Sequence, residues 1–393
     1  MIESVKRRGY RHTAVADVIA LAGVSRRAFY EHFRDKDHCL LATHNAIVAH
    51  GRQLSFAAWS TESGWSNRLY SACQSLFAAM GTLRDQAHFV LVDSLGTMPG
   101  ARERALISNL AFERPLHEAL RHGSPAHPLP FISATAVIGG IRHVMMREIQ
   151  DGDLVAPRLS EEVLDWIECY RASSASTLLA RPKYDCPVYR VRPLIGSGPH
   201  ALASRALLDL TLERGYARVS DSDVARHTGI STNAFHKLFQ SKESCLLANR
   251  RALIEASFAA ARSEMEHADS WAEGVHRGIE ALTGVLSAYG PITRVALIDF
   301  LDIGPGAIAE YSRPMDELAL LLTAEAPRLR ALPKLAPCLV SGAIWAVICA
   351  HATGDMLPRL PQTADRLTYT VLAPYLGATR ALEEMSSIAR GAS

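Results

Sequence analysis

Apolar positions in this chain recur at i, i+3, i+4 and i+7 over long stretches, as at Leu69, Cys73, Leu76, Phe77 and Met80. That is the period of one face of a helix. Alternation of period two is absent, and the helical runs stop at Gly or Pro punctuation. The pattern predicts an all-α protein. One segment departs from it: Ser173–His200 holds four prolines and two glycines without helical period. It reads as a linker, and 28 extended residues reach at most about 90 Å.

The pattern also repeats. RGYRHTAVADVIALAGVSRRAFYEHFRDKDHCLLA runs from Arg8 to Ala42, and RGYARVSDSDVARHTGISTNAFHKLFQSKESCLLA from Arg214 to Ala248. The two are 206 residues apart, align without a gap, and share 15 of 35 positions. The offset continues through Trp65/Trp271, Asp93/Asp299 and Pro99-Gly100/Pro305-Gly306, then drifts to 202 at Gly140/Gly342. A whole unit is duplicated; a solenoid would show periods of about 20–50 residues. The predicted organisation is a head at 1–45, a helical body at 46–172, a linker at 173–200, a second head at 201–250 and a second body at 251–393. The stretch Leu335–Gly354 has no Asp, Glu, Lys or Arg over 20 residues, long enough to span a bilayer. Its counterpart carries Arg142, Arg147 and Glu148, so a buried helix and no membrane partner are expected.

Each head reads as a helix-turn-helix. In copy 1, Ala14–Ala22 forms the first helix of the motif, Gly23 the turn, Ser25 the cap, and Arg26–Phe33 the second helix. Val18, Val24, Phe29 and Phe33 are the expected small core, and Asp35 caps the next helix. Copy 2 repeats this with Asp221–Thr228, Gly229, Ser231 and Thr232–Phe239, with Val224, Ile230, Phe235 and Phe239 inside and Ser241 as the next cap.

Composition changes the picture little. Hydrophobic residues make up 48% and charged residues 21%, and a net charge of +2 announces no polyanionic partner by itself. Seven cysteines, odd in number and without a CxxC, fit a reducing cytoplasm better than a disulfide framework or zinc site. The opening MIESVKRRGY lacks an apolar secretory core. His117-Glu118, His122 and His127 do not match the HExxH spacing, because His117 and His122 are five apart. No Ser/His/Asp cluster or phosphate-cradling loop stands out, so neither an enzyme, a metal nor a cofactor is expected.

The spacing GY…DVxxxAGVSxxAFYxHFxxKxxCLLA, found in copy 1 and more loosely in copy 2, resembles the TetR/AcrR family of transcriptional regulators. The resemblance covers both heads well and the bodies only by length and helical character. It implies a double-stranded DNA operator as partner, and a body that binds a small-molecule effector and dimerises through its last two helices. It implies phosphate contacts for Thr13, Tyr30, His32 and Lys36, which set register. It puts Ser25, Arg26 and Arg27 at the N-terminal end of the recognition helix, where arginine can read guanine.

The heads differ. Copy 2 has His236 for Tyr30, Leu238 for His32 and Val219 for Thr13, with Ser220 adjacent. Ser231, Thr232 and Asn233 replace Ser25, Arg26 and Arg27, while Lys242 is kept. Over 1–40 the formal charge is +3, and over 207–246 it is zero. Head 1 is therefore expected to dominate electrostatic docking, and Asn233 to prefer adenine. The expected function is a repressor released by a ligand, a fused pseudo-dimer on an operator with unlike halves. One alternative is a regulator with one reading head and a second unit for assembly or sensing. The other is a helical small-molecule-binding protein with vestigial heads. Only eight residues precede Gly9, so head 1 has either a short first helix or a start farther upstream. The final helices, near Ser160–Arg171 and Ala364–Leu376, are candidates to pack together. Candidate effector-pocket residues are Trp65, Phe77, Phe89 and Phe131 in copy 1, and Trp271, Tyr289, Phe300, Tyr311 and Trp345 in copy 2, with Asp299 and His351 as polar anchors.

Overall fold

The computed structural model describes residues 1–94, 101–122, 132–152, 155–171, 197–327 and 332–391. Among them every regular element is helical. Unit 1 comprises α1 (Ile2–Arg8), α2 (Val15–Ala22), α3 (Arg26–His32), α4 (Lys36–Thr61), α5 (Trp65–Thr82), α6 (Arg84–His88), α7 (Ala101–His122), α8 (Ala134–Asp151) and α9 (Ala156–Glu168). Unit 2 comprises α10 (Pro199–Arg214), α11 (Asp221–Thr228), α12 (Thr232–Phe239), α13 (Lys242–Glu266), α14 (Trp271–Ala288) and α15 (Gly290–Leu297). It continues through α16 (Pro305–Tyr311), α17 (Arg313–Thr323), α18 (Ala336–Thr353), α19 (Ala364–Leu376) and α20 (Ala378–Gly391).

The duplication reaches the element boundaries. α5 and α14 start and end 206 residues apart, and α8 and α18 start and end 202 apart. Local chemistry explains the shared limits. Gly23 and Gly229 both take the left-handed conformation (φ 66° and 73°) that closes α2 and α11. Ser25 and Ser231 each accept a backbone N–H, from Ala28 and Ala234, to start the next helix. Asp35 and Ser241 do the same for α4 and α13. The first helix is seven residues long in head 1 and sixteen in head 2.

The two bodies share one core. Its centre is the crossing of α8 with α18, the most extensive contact between the units. Glycines make it possible: a Cβ on Gly139 would lie 2.1 Å from Ala346 Cβ, and one on Gly342 would lie 2.6 Å from His143 Cβ. α9 and α19 flank the crossing, and the Tyr170 hydroxyl donates to the Thr370 carbonyl at 2.8 Å. Tyr369 donates back to the Tyr170 carbonyl, and Trp166 stacks edge-on to Tyr170. The segments expected to pack together, near Ser160–Arg171 and Ala364–Leu376, touch through Tyr170, Tyr369 and Thr370, but α20 follows as the last helix, and α8 and α18 carry most of the contact between the units.

The charge-free stretch forms α18. By length and composition it could cross a membrane, yet most of it is buried in this core. A helix that is apolar all round suits a place in a protein core. The expected linker falls largely on residues 172–196, outside the described residues, as do Phe131, Pro99, Gly100 and His127.

Candidate nucleic-acid interface and effector cavity

In head 1, Ser25, Arg26, Arg27, Tyr30 and His32 are all exposed. They lie along α3, held by Phe29 and Val18 buried beneath. Arg26 sits over the Tyr30 ring at 5.7 Å, and Arg27 pairs with Glu31 at 3.0 Å. These are surface arrangements that a polyanion could replace at little cost, because exposed ion pairs contribute about 0–1 kcal/mol. Val24, expected in the core with Phe29, is 45% exposed. It sits in the turn just after Gly23, outside the helical period that would turn it inward. Phe33 is half-buried, in extended backbone past the end of α3.

Two of the expected phosphate contacts face inward. Thr13 is buried and donates to the Gly9 carbonyl at 2.9 Å. Lys36 donates to the Tyr10 carbonyl at 3.1 Å, with its ammonium 4.2 Å from the Tyr10 ring centre. Lys242 repeats this in head 2, with the Tyr216 carbonyl at 3.1 Å and its ring at 4.2 Å. Burial pushes both lysines below the usual lysine range. Each clamps the start of a long helix to the turn after the head's first helix.

Head 2 presents less. Asn233 is exposed and Thr232 half-buried at the start of α12, with Phe235 and Val224 buried beneath. Ser220 is engaged in a capping box with Asp223. Asp221 accepts from the Lys242 backbone N–H at 3.0 Å and lies 2.8 Å from His236 Nε2. Position 221 is Val15 in head 1. The acid beside His236 is thus particular to head 2, a difference visible in the aligned sequences but missed without the fold.

Arg11 carries no signal in the local sequence pattern. Its Nη2 donates to the Ile303 carbonyl at 2.7 Å, across from head 1 to body 2. Its charge is close enough to influence Tyr216 and Lys242 of head 2. The counterpart in copy 2 is Ala217, so this tie exists once.

Body 1 encloses a cavity of about 250 Å³ between α4, α5, α7 and α8. Its walls are mainly aliphatic and aromatic, including Ile47, Val48, Leu76, Met80, Phe112 and Leu116. The polar lining includes His44, whose ring is 3.3 Å from Ser108 Oγ, and Arg142, which donates to Asn109 at 3.3 Å, together with His50, Arg52, Gln86 and two further serines. Such an apolar cavity with a few placed polar groups is the usual form of a small-molecule site. The aromatics anticipated for this role are elsewhere. Phe77 and Phe89 are fully buried core, and Trp65 packs edge-on against Trp59, which does line the cavity. In body 2, Trp345 is buried and Trp271 donates its indole N–H to the Leu322 carbonyl. Tyr289 and Tyr311 pack half-buried against the core, and Phe300 lies beneath the Arg250 guanidinium at 4.1 Å. Asp299 lies 3.9 Å from Arg294, and His351 Nδ1 lies 2.8 Å from the Val347 carbonyl.

The family model for bacterial regulatory proteins of the tetR family matches residues 2–43 and 205–248, the two heads just described. The chain therefore carries two tetR-type helix-turn-helix heads. Helix-turn-helix heads of this kind imply DNA as partner. The chain is also similar to a solved structure, the fatty acid degradation regulator FadR from Bacillus halodurans. Identity is 18% and the TM-score 0.37, over 45% of this chain and 96% of that one. No curated protein matches it.

Proposed function

We propose that this chain is a TetR-family, ligand-released repressor whose units act as an intramolecular pseudo-dimer on an operator with unlike half-sites. The observation that carries the proposal is the glycine-lined crossing of α8 and α18. It joins the two bodies as equivalent surfaces of one fold, the arrangement that ordinarily relates two subunits. Each head then meets its own half-site at a spacing set by that core. Arg26 and Arg27 read bases in one half, with Tyr30 and His32 on phosphates. Thr232 and Asn233 read the other. Release follows from occupancy of the body 1 cavity. α8 lines that cavity through Ile138, Ile141 and Arg142, and is also the crossing helix. A ligand that favours one packing of α8 shifts the heads, provided it binds the two states unequally.

Selection from a random duplex pool tests the reading. Recovered sites should have two unlike halves, and a perfect palindrome would count against the proposal. Arg26→Ala/Arg27→Ala and Thr232→Ala/Asn233→Ala should each weaken binding, at different ends of the site.

A second reading has one observation in its favour. Asp221 occupies His236, and Ser220 is committed to its cap. Head 2 then contributes assembly, and only the Arg26/Arg27 change affects DNA binding.

A further inference from the structure

The ionisable side chains around the body 1 cavity are of one kind. Among the described residues its lining includes Arg142, Arg52, His44 and His50, and no aspartate or glutamate. Glu113 is one turn along α7 from Asn109, but it accepts from the Thr135 hydroxyl at 3.1 Å and does not line the space. Arg52 is exposed, a cation at the solvent side that favours entry of an anion.

Arg142 is the cation farther in. It is half-buried on α8 and makes no ion pair among the described residues. Its bond to Asn109, at 3.3 Å, is longer than the about 2.9–3.0 Å usual for N–H···O. Its Nε and Nη2 have no partner among the described residues, yet they are not sealed in the protein. A half-buried cation with one long hydrogen bond gains from meeting an anion. Polar groups gather around it: Ser108, next to Asn109 on α7, lies 3.3 Å from the His44 ring. From there the lining follows α4 as far as Trp59, about 22 Å from His44 along the helix axis. Leu69, Cys73 and Leu116 make that far part mainly apolar.

Body 2 has bulk where body 1 has room, and no cation where body 1 has Arg142. The counterpart of Arg142 is Ile344, fully buried. Ile279 and Val285 replace Cys73 and Ala79, and Phe300 replaces Ser94; all three are buried. The Arg250 guanidinium lies over the Phe300 ring at 4.1 Å. Met265 closes on Gly278, where an added Cβ would lie 2.7 Å from Met265 Cγ.

We infer, taking the cavity as the effector site proposed above, that body 1 binds one elongated apolar monocarboxylate per chain. The carboxylate lies in the plane of the Arg142 guanidinium, whose fork matches it. The hydrocarbon body lies along α4 towards Trp59. A neutral alcohol of the same length fills the apolar part and leaves Arg142 as it was, and an amine adds a second cation beside it.

Calorimetric titration of the full chain with decanoate, decanol and decylamine, in carboxylate-free buffer, is the test. Decanoate should bind at one molecule per chain, about tenfold or more tighter than decanol, with decylamine weaker still. Arg142→Gln should reduce decanoate affinity by about tenfold or more while leaving decanol affinity unchanged, so that the preference for the acid disappears. The comparison of decanoate with decanol on the unsubstituted chain decides the matter if Arg142→Gln does not fold. Decanol binding as tightly as decanoate, two decanoates per chain, or undiminished decanoate binding by Arg142→Gln would each overturn the inference and leave an apolar effector site standing. Flat titrations with all three would overturn the effector site as well.

Discussion

Replacing Gly139 by alanine adds one methyl group at the tightest point between the units. The new Cβ would lie 2.1 Å from Ala346 Cβ and 2.9 Å from the Gly342 carbonyl oxygen. Carbon atoms pack at about 3.5–4.0 Å, so α8 and α18 must part locally by roughly 1.5 Å. Neither neighbour is the loose end of a flexible side chain; one is a Cβ and the other backbone. Overpacking of this kind costs about 1–3 kcal/mol or more. Against it stands the better helix propensity of alanine, about 1 kcal/mol at an unhindered position. The clash wins, so Gly139→Ala should lose about 1–2 kcal/mol, read as a lower midpoint in urea at an unchanged slope. Ala346→Gly removes one of the two colliding carbons and should recover part of the loss in the double variant. A Gly139→Ala protein as stable as the parent, or a double variant no better than the single changes combined, would refute the packing argument.

Three further outcomes are expected. His143 is buried without a hydrogen-bond partner, and burial lowers its pKa to about 4. The unfolded chain takes up this proton near 6.5 and the folded chain resists it. Stability is therefore full above about 6.5 and falls as pH drops towards 4, by up to about 3 kcal/mol; His143→Leu should flatten that part of a urea-midpoint profile. Asp221→Asn removes the acid beside His236. It should tighten DNA binding and steepen the salt dependence by up to about one unit of log K per log salt, and an unchanged slope would mean head 2 stays off the phosphates. Ala72→Phe pushes a ring into the body 1 cavity. It should abolish uptake of an apolar fluorescent probe while leaving operator affinity in gel shifts intact, and loss of both would mean the cavity is only a packing defect.

Much of this was legible before the fold. The caps Ser25, Ser231, Asp35 and Ser241 and the glycine turns act within a few residues, so their spacing alone locates them. Exposure on α3 also followed from its pattern. Thr13 and Lys36 did not, because a hydroxyl or ammonium can face solvent or a carbonyl, and only the position of Gly9 and Tyr10 decides. The cavity was harder still. A void is made by what side chains leave unfilled, such as Gly51, Ala72 and Ala79, and a search for aromatics looks past small residues. Arg11 and Ile303 are 292 residues apart, and no local pattern predicts such a tie.

The α8–α18 crossing has a consequence for dilution. When such an interface joins separate subunits, thermal stability and the number of assembled molecules depend on concentration. Here both faces are on one backbone, so their meeting is a first-order event, with an effective concentration set by chain length instead of copy number. The melting temperature should stay constant across a wide range of protein concentration. A cell holding a handful of these molecules would keep the halves of each one assembled.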